Sequence, residues 1–288
     1  MGDRMRGMMT WEGAVVTLRQ QPDQEALVRA CYFDDPLLDA ARRFAEGGEW
    51  RAVSTFLPPP PGRALDLGAG RGIGSYALAR CGWRVTAVEP DPSSIVGAGA
   101  IRCLTRETGL TIDVVEQHAE ALPFEDGTFD VVYGRQILHH ASNLTALCRE
   151  AFRVLKPKGR MIATREHVIS TPEELPLFLE HHPLHKWYGG EHACLLHEYR
   201  TAIVSAGFRL TRQLGPFDSA VNYFPMTEEE WVAACRRSIP WWAGGRVAGR
   251  LATGRHVLGR RLLNGLAARL SAAADSPGRL YSFVADKP

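Results

Sequence analysis

The chain has 288 residues, 45% of them hydrophobic, and its 34 basic and 32 acidic side chains leave a formal net charge of +2. This is enough apolar sequence for one large domain with additions, but no apolar run reaches the roughly 18 residues that a membrane-spanning helix needs. The six cysteines are scattered without a C-x-x-C pair, which argues against a disulfide scaffold or a zinc ribbon and predicts a cytoplasmic location.

Helical and strand patterns alternate along most of the chain. Residues 1–57 form a predicted N-terminal helical cap, with helical spacing at 24–30 and 36–45. Strands are predicted at 63–67, 84–89, 112–116, 129–134, 159–165, 208–212 and 279–285. Helical stretches separate most of these strands, and that alternation predicts an α/β fold built on a Rossmann-like, doubly wound sheet.

Additions to this core divide the chain into predicted parts. The helical cap at 1–57 precedes a core at 58–215, which carries a lid insertion at 171–194. A helical basic insertion follows at 216–277, and residues 278–288 return as the last strand of the core. Within the lid, the pattern Thr171-Pro-Glu-Glu174 is typical of a capping box and predicts a helix over 171–181.

The most informative segment is a glycine-rich turn between a strand and a helix. It runs from residue 63 to residue 74 and reads R-A-L-D-L-G-A-G-R-G-I-G. Such a turn brings bare backbone N–H groups close to a ligand. The next strand ends in Glu89, 23 residues after Asp66, where an α/β sheet places a carboxylate on a ribose. We therefore expect a nucleoside-containing cofactor.

The spacing of the glycines argues against a dinucleotide. The fingerprint G-x-G-x-x-G needs glycine at its sixth position, but the residue there is Ile73 when counted from Gly68 and Ser75 when counted from Gly70. An acid, Asp66, stands two residues before the first glycine and suits a cationic ligand. S-adenosylmethionine carries an ammonium and a sulfonium but no phosphate, so it fits this turn better than NAD does.

Five ordered motifs support this choice: L-D-L-G-A-G-R-G-I-G at 65–74, V-T-A-V-E-P-D-P at 85–92, A-E-A-L-P-F-E-D-G-T-F-D-V-V at 119–132, I-L-H-H at 137–140 and R-V-L-K-P-K-G-R at 153–160. In these motifs the sequence resembles the class I S-adenosylmethionine-dependent methyltransferases, in particular the small-molecule group called type 11. The resemblance implies a seven-stranded sheet with an antiparallel last strand. The cofactor contacts it implies are Gly68 and Gly70 at the methionyl part and ribose, Asp66 near the ammonium, Glu89 at the ribose hydroxyls and Pro90 at the adenine.

Further cofactor contacts are left open by the same resemblance. The family usually has Asp before Ala119 to bind the adenine amino group, but this chain has His118. The contact then falls to the Ala119 backbone N–H, with His118 or Glu120 as a further candidate. At Arg135 the family offers a backbone carbonyl to the ammonium, or else the side chain faces the ligand carboxylate. Tyr32 either folds over the cofactor or is an ordinary core aromatic residue.

Histidines cluster where the transferred methyl group is expected. Holding nucleophile, methyl and sulfur collinear supplies much of the rate of this displacement. A hydroxyl acceptor must also lose its proton, and His is the usual base near neutral pH. The candidate catalytic residues at the predicted strand ends are His139 and His140 after the fourth strand and Glu166 and His167 after the fifth. For one histidine of each pair, simple packing is the alternative.

A second histidine-rich stretch lies in the lid. His181 and His185 would be neighbours on one helix face, with Glu191 nearby, but Pro183 interrupts that helix. We therefore predict no metal site, and we expect residues 182–192 to form a polar lid on the acceptor side.

The basic insertion has an uneven charge distribution. Residues 236–275 contain eight arginines and one acid, Asp275, which gives a local charge of +7. Apolar residues recur there at helical spacing, at Val247, Leu251, Leu258, Leu262, Leu266 and Leu270, and tryptophans stand at 241 and 242. The stretch is either a solvated basic face over a packing stripe or a helix on an anionic membrane surface. Nucleic acid is a poorer partner, because an aromatic-interleaved strand motif is lacking.

The whole sequence predicts an S-adenosylmethionine-dependent methyltransferase, cytoplasmic or peripheral on the inner membrane face. The expected acceptor is a small molecule, a glycan or a lipid-linked intermediate, methylated on oxygen. One alternative is a Rossmann NAD-dependent oxidoreductase, which the missing third dinucleotide glycine opposes. The other is a catalytically silent subunit that binds S-adenosylmethionine.

Overall fold

A mixed sheet organises the chain from residue 63 onward. The computed structural model describes residues 8–238 and 257–288, and its strands are β1 (Arg63–Leu67), β2 (Arg84–Val88), β3 (Ile112–Val115), β4 (Phe129–Arg135), β5 (Leu155–Ile169), β6 (Cys194–Leu195), β7 (Arg209–Leu214) and β8 (Arg279–Asp286). Their order is β3-β2-β1-β4-β5-β8-β7, with β6 paired to β5. Strand β8 runs antiparallel to both of its neighbours, and the other pairings are parallel. The predicted doubly wound sheet with an antiparallel last strand is confirmed, and the two-residue β6 makes it eight-stranded in the described chain rather than seven-stranded.

Strand β5 is longer than the 159–165 that the sequence predicts. It begins at Leu155 opposite Phe129 and, after a bulge, pairs with β4 as far as Thr164. It then continues to Ile169 against β8 and β6. Because β4 ends at Arg135, opposite Thr164, the last residues of β5 project past β4 and meet the turn that follows β4.

Helices cover the sheet and form the N-terminal cap. They are α1 (Trp11–Arg19), α2 (Glu25–Ala30), α3 (Leu37–Glu46), α4 (Gly48–Ser54), α5 (Ile73–Arg80), α6 (Ala98–Thr108), α7 (Leu144–Val154), α8 (Glu174–His181), α9 (His185–Tyr188), α10 (Leu196–Ser205), α11 (Ala220–Tyr223), α12 (Glu228–Arg237) and α13 (Val257–Ala273). The lid helix α8 starts at Glu174, so the predicted capping box with Thr171 is wrong. Instead, the Glu174 carboxylate accepts a hydrogen bond from the Ser170 N–H at 2.7 Å.

The period-two alternation of β1 places the core on both faces of the sheet. Leu65 and Leu67 are buried in the layer that includes residues of α7 and α10. Ala64, which points the other way, is buried in the layer that includes residues of α3, α4 and α5. Burial on both faces fixes the register of this strand, and with it the position of the glycine turn that follows.

The described part of the basic insertion packs as a helix pair. Trp231 and Cys235 of α12 share a buried cluster with Leu263, Leu266 and Ala267 of α13. The predicted stripe is therefore wrong at Leu262, which is 38% exposed, because the buried face is rotated toward 263 and 267. Val247, Leu251 and both tryptophans lie outside the described residues, as does the Leu258 side chain.

At least one arginine of this insertion is paired within the protein. Arg260 Nη1 lies 2.6 Å from Glu228 Oε1, and its guanidinium stands over the Trp231 ring at 5.4 Å. Several other arginines of the insertion, at 246, 250 and 255, fall outside the described residues, so contact with an anionic membrane stays a prediction. None of the described helices is both long and apolar enough to cross a bilayer.

Candidate active site

A cavity of about 570 Å³ opens where the parallel strands end. One end is lined by the turn after β1 and by the end of β2, including Gly68, Gly70 and Glu89. The other end is lined by the turn after β4, the overhang of β5 and the lid, including His139 and His167. The carboxyl ends of parallel strands are where α/β sheets bind ligands, so this cavity is the candidate active site.

The glycine turn is built for a close approach of backbone to ligand. Gly68, Gly70 and Gly72 have φ values of +60°, +52° and +82°, a region that side chains with a Cβ avoid. A Cβ added at Gly68 would also lie 2.3 Å from Ile137 Cδ1. Glycine at this position is thus required twice, by its backbone conformation and by its neighbour.

Glu89 is held rigidly at the mouth of this turn. Its Oε2 accepts a hydrogen bond from the Gly70 N–H at 2.8 Å, and its Oε1 accepts one from the Asp91 N–H at 3.0 Å. The residue is 8% exposed, and burial raises the pKa of its carboxyl group. Each oxygen keeps a lone pair after these bonds, so the carboxylate can still accept two hydroxyl groups.

Asp66 is buried behind the same turn. It is 2% exposed, and its Oδ2 accepts a hydrogen bond from Ser75 Oγ at 2.6 Å. Burial raises the pKa of Asp66 to about 7, although the Ser75 hydrogen bond lowers it. The side chain lines the cavity, so a cationic group of a ligand would restore the ionised carboxylate.

The predicted adenine contacts divide into two sets. Pro90 lines the cavity, together with Asp91 and Val96. Ala119 is buried in the core layer of α7 and α10, and neither it nor Glu120 lines the cavity. Both the Ser142 N–H and its hydroxyl donate to Glu120 Oε1 at 2.9 Å. The structure therefore does not bring Ala119 and Glu120 to the cofactor end of the cavity, and their contacts with adenine stay predictions.

Arg135 has a partner that the sequence did not indicate. Its Nε lies 2.7 Å from Oε1 of Glu49 in α4, and its Nη2 lies 3.3 Å from the other carboxylate oxygen. Glu49 is fully buried, and Arg165 Nε also stands 3.9 Å from it. The Arg135 side chain is thus committed to a buried ion pair, and the alternative in which it faces a ligand carboxylate is not supported.

Tyr32 is a core aromatic residue that also lines the cavity, so its contact with the cofactor stays a prediction. It is 1% exposed and packs in the core against Phe44 and Phe224, yet it also lines the cavity. Its φ of +59° is left-handed, as are those of Gln136 (+56°) and Arg165 (+62°). Such conformations cost about 1–3 kcal/mol each outside glycine. All three line the cavity, whereas the fourth described non-glycine residue with a positive φ, Lys158, does not.

Glu166 fixes the orientation of the His139 ring. The ring Nδ1 lies 2.6 Å from Glu166 Oε2, and the backbone N–H groups of His139 and Ile137 donate to the same carboxylate at 3.1 and 3.2 Å. Glu166 is fully buried, and burial raises its pKa to about 7 against the lowering effect of the backbone donors. It does not line the cavity, so of the four predicted catalytic residues Glu166 is a positioning residue.

The remaining predicted catalytic residues do reach the cavity. His167 Nδ1 stands 2.8 Å from the Gly278 carbonyl oxygen, so Nδ1 carries the proton and Nε2 is free to accept one. Burial lowers the pKa of His167 to about 3 and holds that of His139 well below its ordinary value. His140 is exposed, and its ring lies 4.3 Å from that of His139.

Glu191, which lies in the stretch predicted to form a polar lid on the acceptor side, completes this end of the cavity. The Tyr188 hydroxyl donates to Glu191 Oε1. Oε2 faces the Nε2 atoms of His139, His140 and His182 at 3.9, 3.8 and 3.7 Å. Of the two lid histidines first considered with it, His181 is exposed and its ring bonds to the Leu177 carbonyl.

Aromatic and aliphatic residues from the N-terminal cap and the lid close the cavity from above. The Trp11 ring packs edge-on against Tyr188, with 4.7 Å between centroids, and against Phe33 at 5.8 Å. Leu18 and Leu184 are buried in the same cluster. This wall is apolar, in contrast to the polar strand ends opposite.

Comparison with known proteins assigns a class to the core. Residues 65–163 match a family model described as a methyltransferase domain. A ubiquinone biosynthesis O-methyltransferase from Methylocella silvestris is 38% identical over 136 residues, which is 47% of this chain and 51% of that protein. The chain spans about half the length of the curated relatives it matches.

Solved structures agree on the fold. A putative sarcosine dimethylglycine methyltransferase from Galdieria sulphuraria superposes with a TM-score of 0.55 at 19% identity, covering 87% of this chain and 86% of that one. The cyclase SpnF superposes with a TM-score of 0.53 at 20% identity, covering 88% of this chain and 81% of that one. Because one fold supports different activities, these likenesses show architecture alone.

Residues 65–163 are thus a class I S-adenosylmethionine-dependent methyltransferase domain. The glycine turn, Glu89 and Asp66 all belong to this matched segment. The alternative of a Rossmann NAD-dependent oxidoreductase is not supported.

Proposed function

We propose that the chain binds S-adenosylmethionine at the glycine turn and transfers its methyl group to an oxygen atom of a small molecule. The observation that carries this proposal is that a single cavity joins Glu89 and Asp66 to the histidine-rich ends of β4 and β5. A cofactor held at one end therefore presents its methyl group to an acceptor held at the other. Positioning of this kind is the main contribution that an enzyme makes to methyl transfer.

The chemistry of the acceptor end favours oxygen. A hydroxyl must lose its proton as it is methylated, whereas a neutral amine can attack directly. His139 and His167 both turn an imidazole Nε2 into the cavity while their Nδ1 atoms are engaged by Glu166 and Gly278. An imidazole oriented in this way can accept the hydroxyl proton in the transition state, although the burial that lowers the pKa of both rings makes them weak bases. The naming of the Methylocella silvestris relative as an O-methyltransferase points the same way.

The shape of the cavity restricts the acceptor further. Its roof is formed by apolar side chains, among them Trp11, Phe33 and Leu184. Burying an acceptor against them gains roughly 25 cal/mol for each Å² of apolar area. We therefore favour a small molecule with an apolar body and one reacting hydroxyl over a glycan.

The proposed methyl transfer forms one bond and breaks one bond at the methyl carbon. The acceptor oxygen forms a bond to the methyl carbon while the carbon–sulfur bond breaks. The electron pair of that bond stays on sulfur, so the sulfonium becomes the neutral thioether of S-adenosylhomocysteine. The hydroxyl proton leaves through the His139 and His167 end of the cavity to solvent.

Two measurements test the proposed function. Calorimetry should show S-adenosylhomocysteine binding to the purified chain, and no binding would contradict the proposal. Transfer of labelled methyl from S-adenosylmethionine should then be measured on phenols and on the matching anilines. Methylation of phenols alone is expected. Methylation of anilines alone would show that the acceptor atom is nitrogen. Binding of S-adenosylhomocysteine without methyl transfer to any acceptor would favour the catalytically silent subunit.

Cofactor affinity is expected to rise with pH around neutrality. Burial raises the pKa of Asp66 to about 7, so the carboxyl is neutral below that pH and ionised above it. The ligand ammonium favours the ionised form, and binding at low pH must therefore release a proton. Affinity for S-adenosylhomocysteine should increase up to roughly tenfold from about pH 6 to about pH 8.

The Asp66→Asn variant isolates this effect. It cannot ionise, so its affinity should be lower and nearly independent of pH. Asp113→Asn, at an exposed position of β3, should keep the wild-type slope. Calorimetry across this pH range checks both, and a wild-type slope retained in Asp66→Asn would remove the carboxyl from the site.

A further inference from the structure

We propose that His139, His167 and Glu191 bind a divalent transition-metal ion at the acceptor end of the cavity. The proposal rests on the proposed function, because the ion would hold the oxygen of the acceptor beside the methyl group. It departs from the sequence-based expectation of no metal site, which considered a different pair of histidines, His181 and His185.

The spacing of the donor atoms is that of ligands around one centre. One atom from each of the three residues lies within 4.8 Å of the other two. His139 Nε2 and Glu191 Oε2 are 3.9 Å apart, which is too long for a hydrogen bond. Two ligands that each stand about 2.1 Å from a tetrahedral ion are roughly 3.4 Å apart. A small inward movement of the lid carboxylate would complete the site.

Each of the three side chains is also oriented as metal ligands are. The Glu166 carboxylate accepts from His139 Nδ1 and the Gly278 carbonyl accepts from His167 Nδ1. These bonds leave the unprotonated Nε2 of each ring facing the cavity. The Tyr188 hydroxyl holds the second oxygen of Glu191. Carboxylate or carbonyl partners on the far nitrogen are the usual support of a ligating imidazole.

The charge of the cluster is unbalanced without a cation. Glu191 is 7% exposed, and a buried carboxylate is costly unless it is paired. The described basic side chains within 4 Å of it are three imidazoles, and the side chains of two of them, His139 and His182, are only 1% and 14% exposed. A divalent ion would supply the missing positive charge.

The donor set indicates which ions fit. Two imidazoles and one carboxylate bind catalytic zinc and non-haem iron, and such sites keep open positions for water or substrate. Because all three residues line the cavity, the open positions would face the acceptor. A bound cation lowers the pKa of a coordinated hydroxyl, so the ion would favour an acceptor that presents a hydroxyl oxygen.

Cobalt(II) binding to the chelator-treated, tag-free protein tests the proposal. One ion per chain should bind, with the absorption of a nitrogen and oxygen site and without the charge-transfer band of thiolate ligands. Glu191→Gln keeps an acceptor for Tyr188 but removes the charge, and it should weaken binding by roughly 100-fold or more. Glu166→Gln, which changes the partner of His139 Nδ1 but not a proposed ligand, should weaken it about 10- to 100-fold. His181→Gln, on the exposed face of the lid, should bind as the wild type does.

The wild type provides a second measurement that needs no variant. A ligand that binds only the folded state raises the melting temperature, so cobalt(II) should raise that of the wild type and of His181→Gln. Wild-type protein that binds no ion, or a Glu191→Gln variant that binds it equally well, would overturn the proposal. Calorimetry with S-adenosylhomocysteine separates the two proposals, because the cofactor can bind where cobalt(II) does not.

Discussion

Replacing Glu89 with Ala is expected to weaken S-adenosylhomocysteine binding by about 100-fold or more. The carboxylate would accept two ribose hydroxyls, and hydrogen bonds to a charged group contribute roughly 1.5–3 kcal/mol each. A loss of about 3 kcal/mol already corresponds to a factor of roughly 100 in affinity. The substitution also frees the Gly70 and Asp91 N–H groups that Glu89 now holds, so the turn itself loses its support.

The matched control is Glu116→Ala. Glu116 follows the neighbouring strand β3, but it is exposed and pairs with Arg102 at 2.5 Å. Its removal should leave affinity unchanged within about twofold, as expected for a surface ion pair. Calorimetry on both variants decides the matter, and equal affinities for Glu89→Ala and the wild type would exclude Glu89 from the cofactor site.

Replacing Glu49 with Ala is expected to destabilise the fold by about 3–5 kcal/mol. Glu49 is fully buried and neutralises Arg135 at 2.7 Å, with Arg165 at 3.9 Å. Removing one partner of a buried ion pair leaves an uncompensated charge, and costs of this size are usual. Urea denaturation followed by circular dichroism measures the free energy of unfolding.

Glu46→Ala is the control for this effect. Glu46 stands three residues earlier, at the end of α3, and its 69% exposed side chain pairs with Arg80 at 3.6 Å. Its replacement should change the free energy of unfolding by less than about 1 kcal/mol. If both variants unfold at the same urea concentration, the Glu49 ion pair does not stabilise the protein.

Local sequence was sufficient to predict the glycine turn and the acid that follows β2, but not the more distant candidates Ala119 and Glu120. The strand, the left-handed glycines and the acid at the end of β2 are separated by few residues, and each has a local signature. The turn must adopt φ values such as +60° at Gly68, which only glycine accepts cheaply. The position of Glu89 then follows from the parallel register of β1 and β2.

The acceptor end depends on contacts between distant segments. Glu49 meets Arg135 across 86 residues of sequence, and the pattern of α4 gives no sign of a buried acid. Glu166 was predicted as catalytic because strand prediction ended β5 at residue 165. In the structure β5 continues to Ile169, so its alternating side chains place Glu166 under the turn after β4 and leave His167 at the cavity. Sequence reasoning considered Glu191 only beside His181 and His185 and rejected that set, because helical spacing is a local guide; the structure places Glu191 beside His139, His140 and His182.

The basic insertion shows a related limit. Helical spacing predicts that one face of the helix is apolar. Several sets of residues, offset from one another by one position, satisfy the same spacing. Packing against α12 buries Leu263 and Ala267 and leaves Leu262 exposed. The buried face of α13 is therefore set by a tertiary contact and not by the local sequence.

Tyr188 performs two tasks at once. Its ring packs on Trp11, which ties the lid to the N-terminal cap, and its hydroxyl holds Glu191. The contact between cap and lid and the position of the Glu191 carboxylate therefore depend on one side chain. A change that shifts the Tyr188 ring relative to Trp11 also shifts the hydroxyl that holds Glu191, so packing at the roof of the cavity and the arrangement of its acceptor end are coupled.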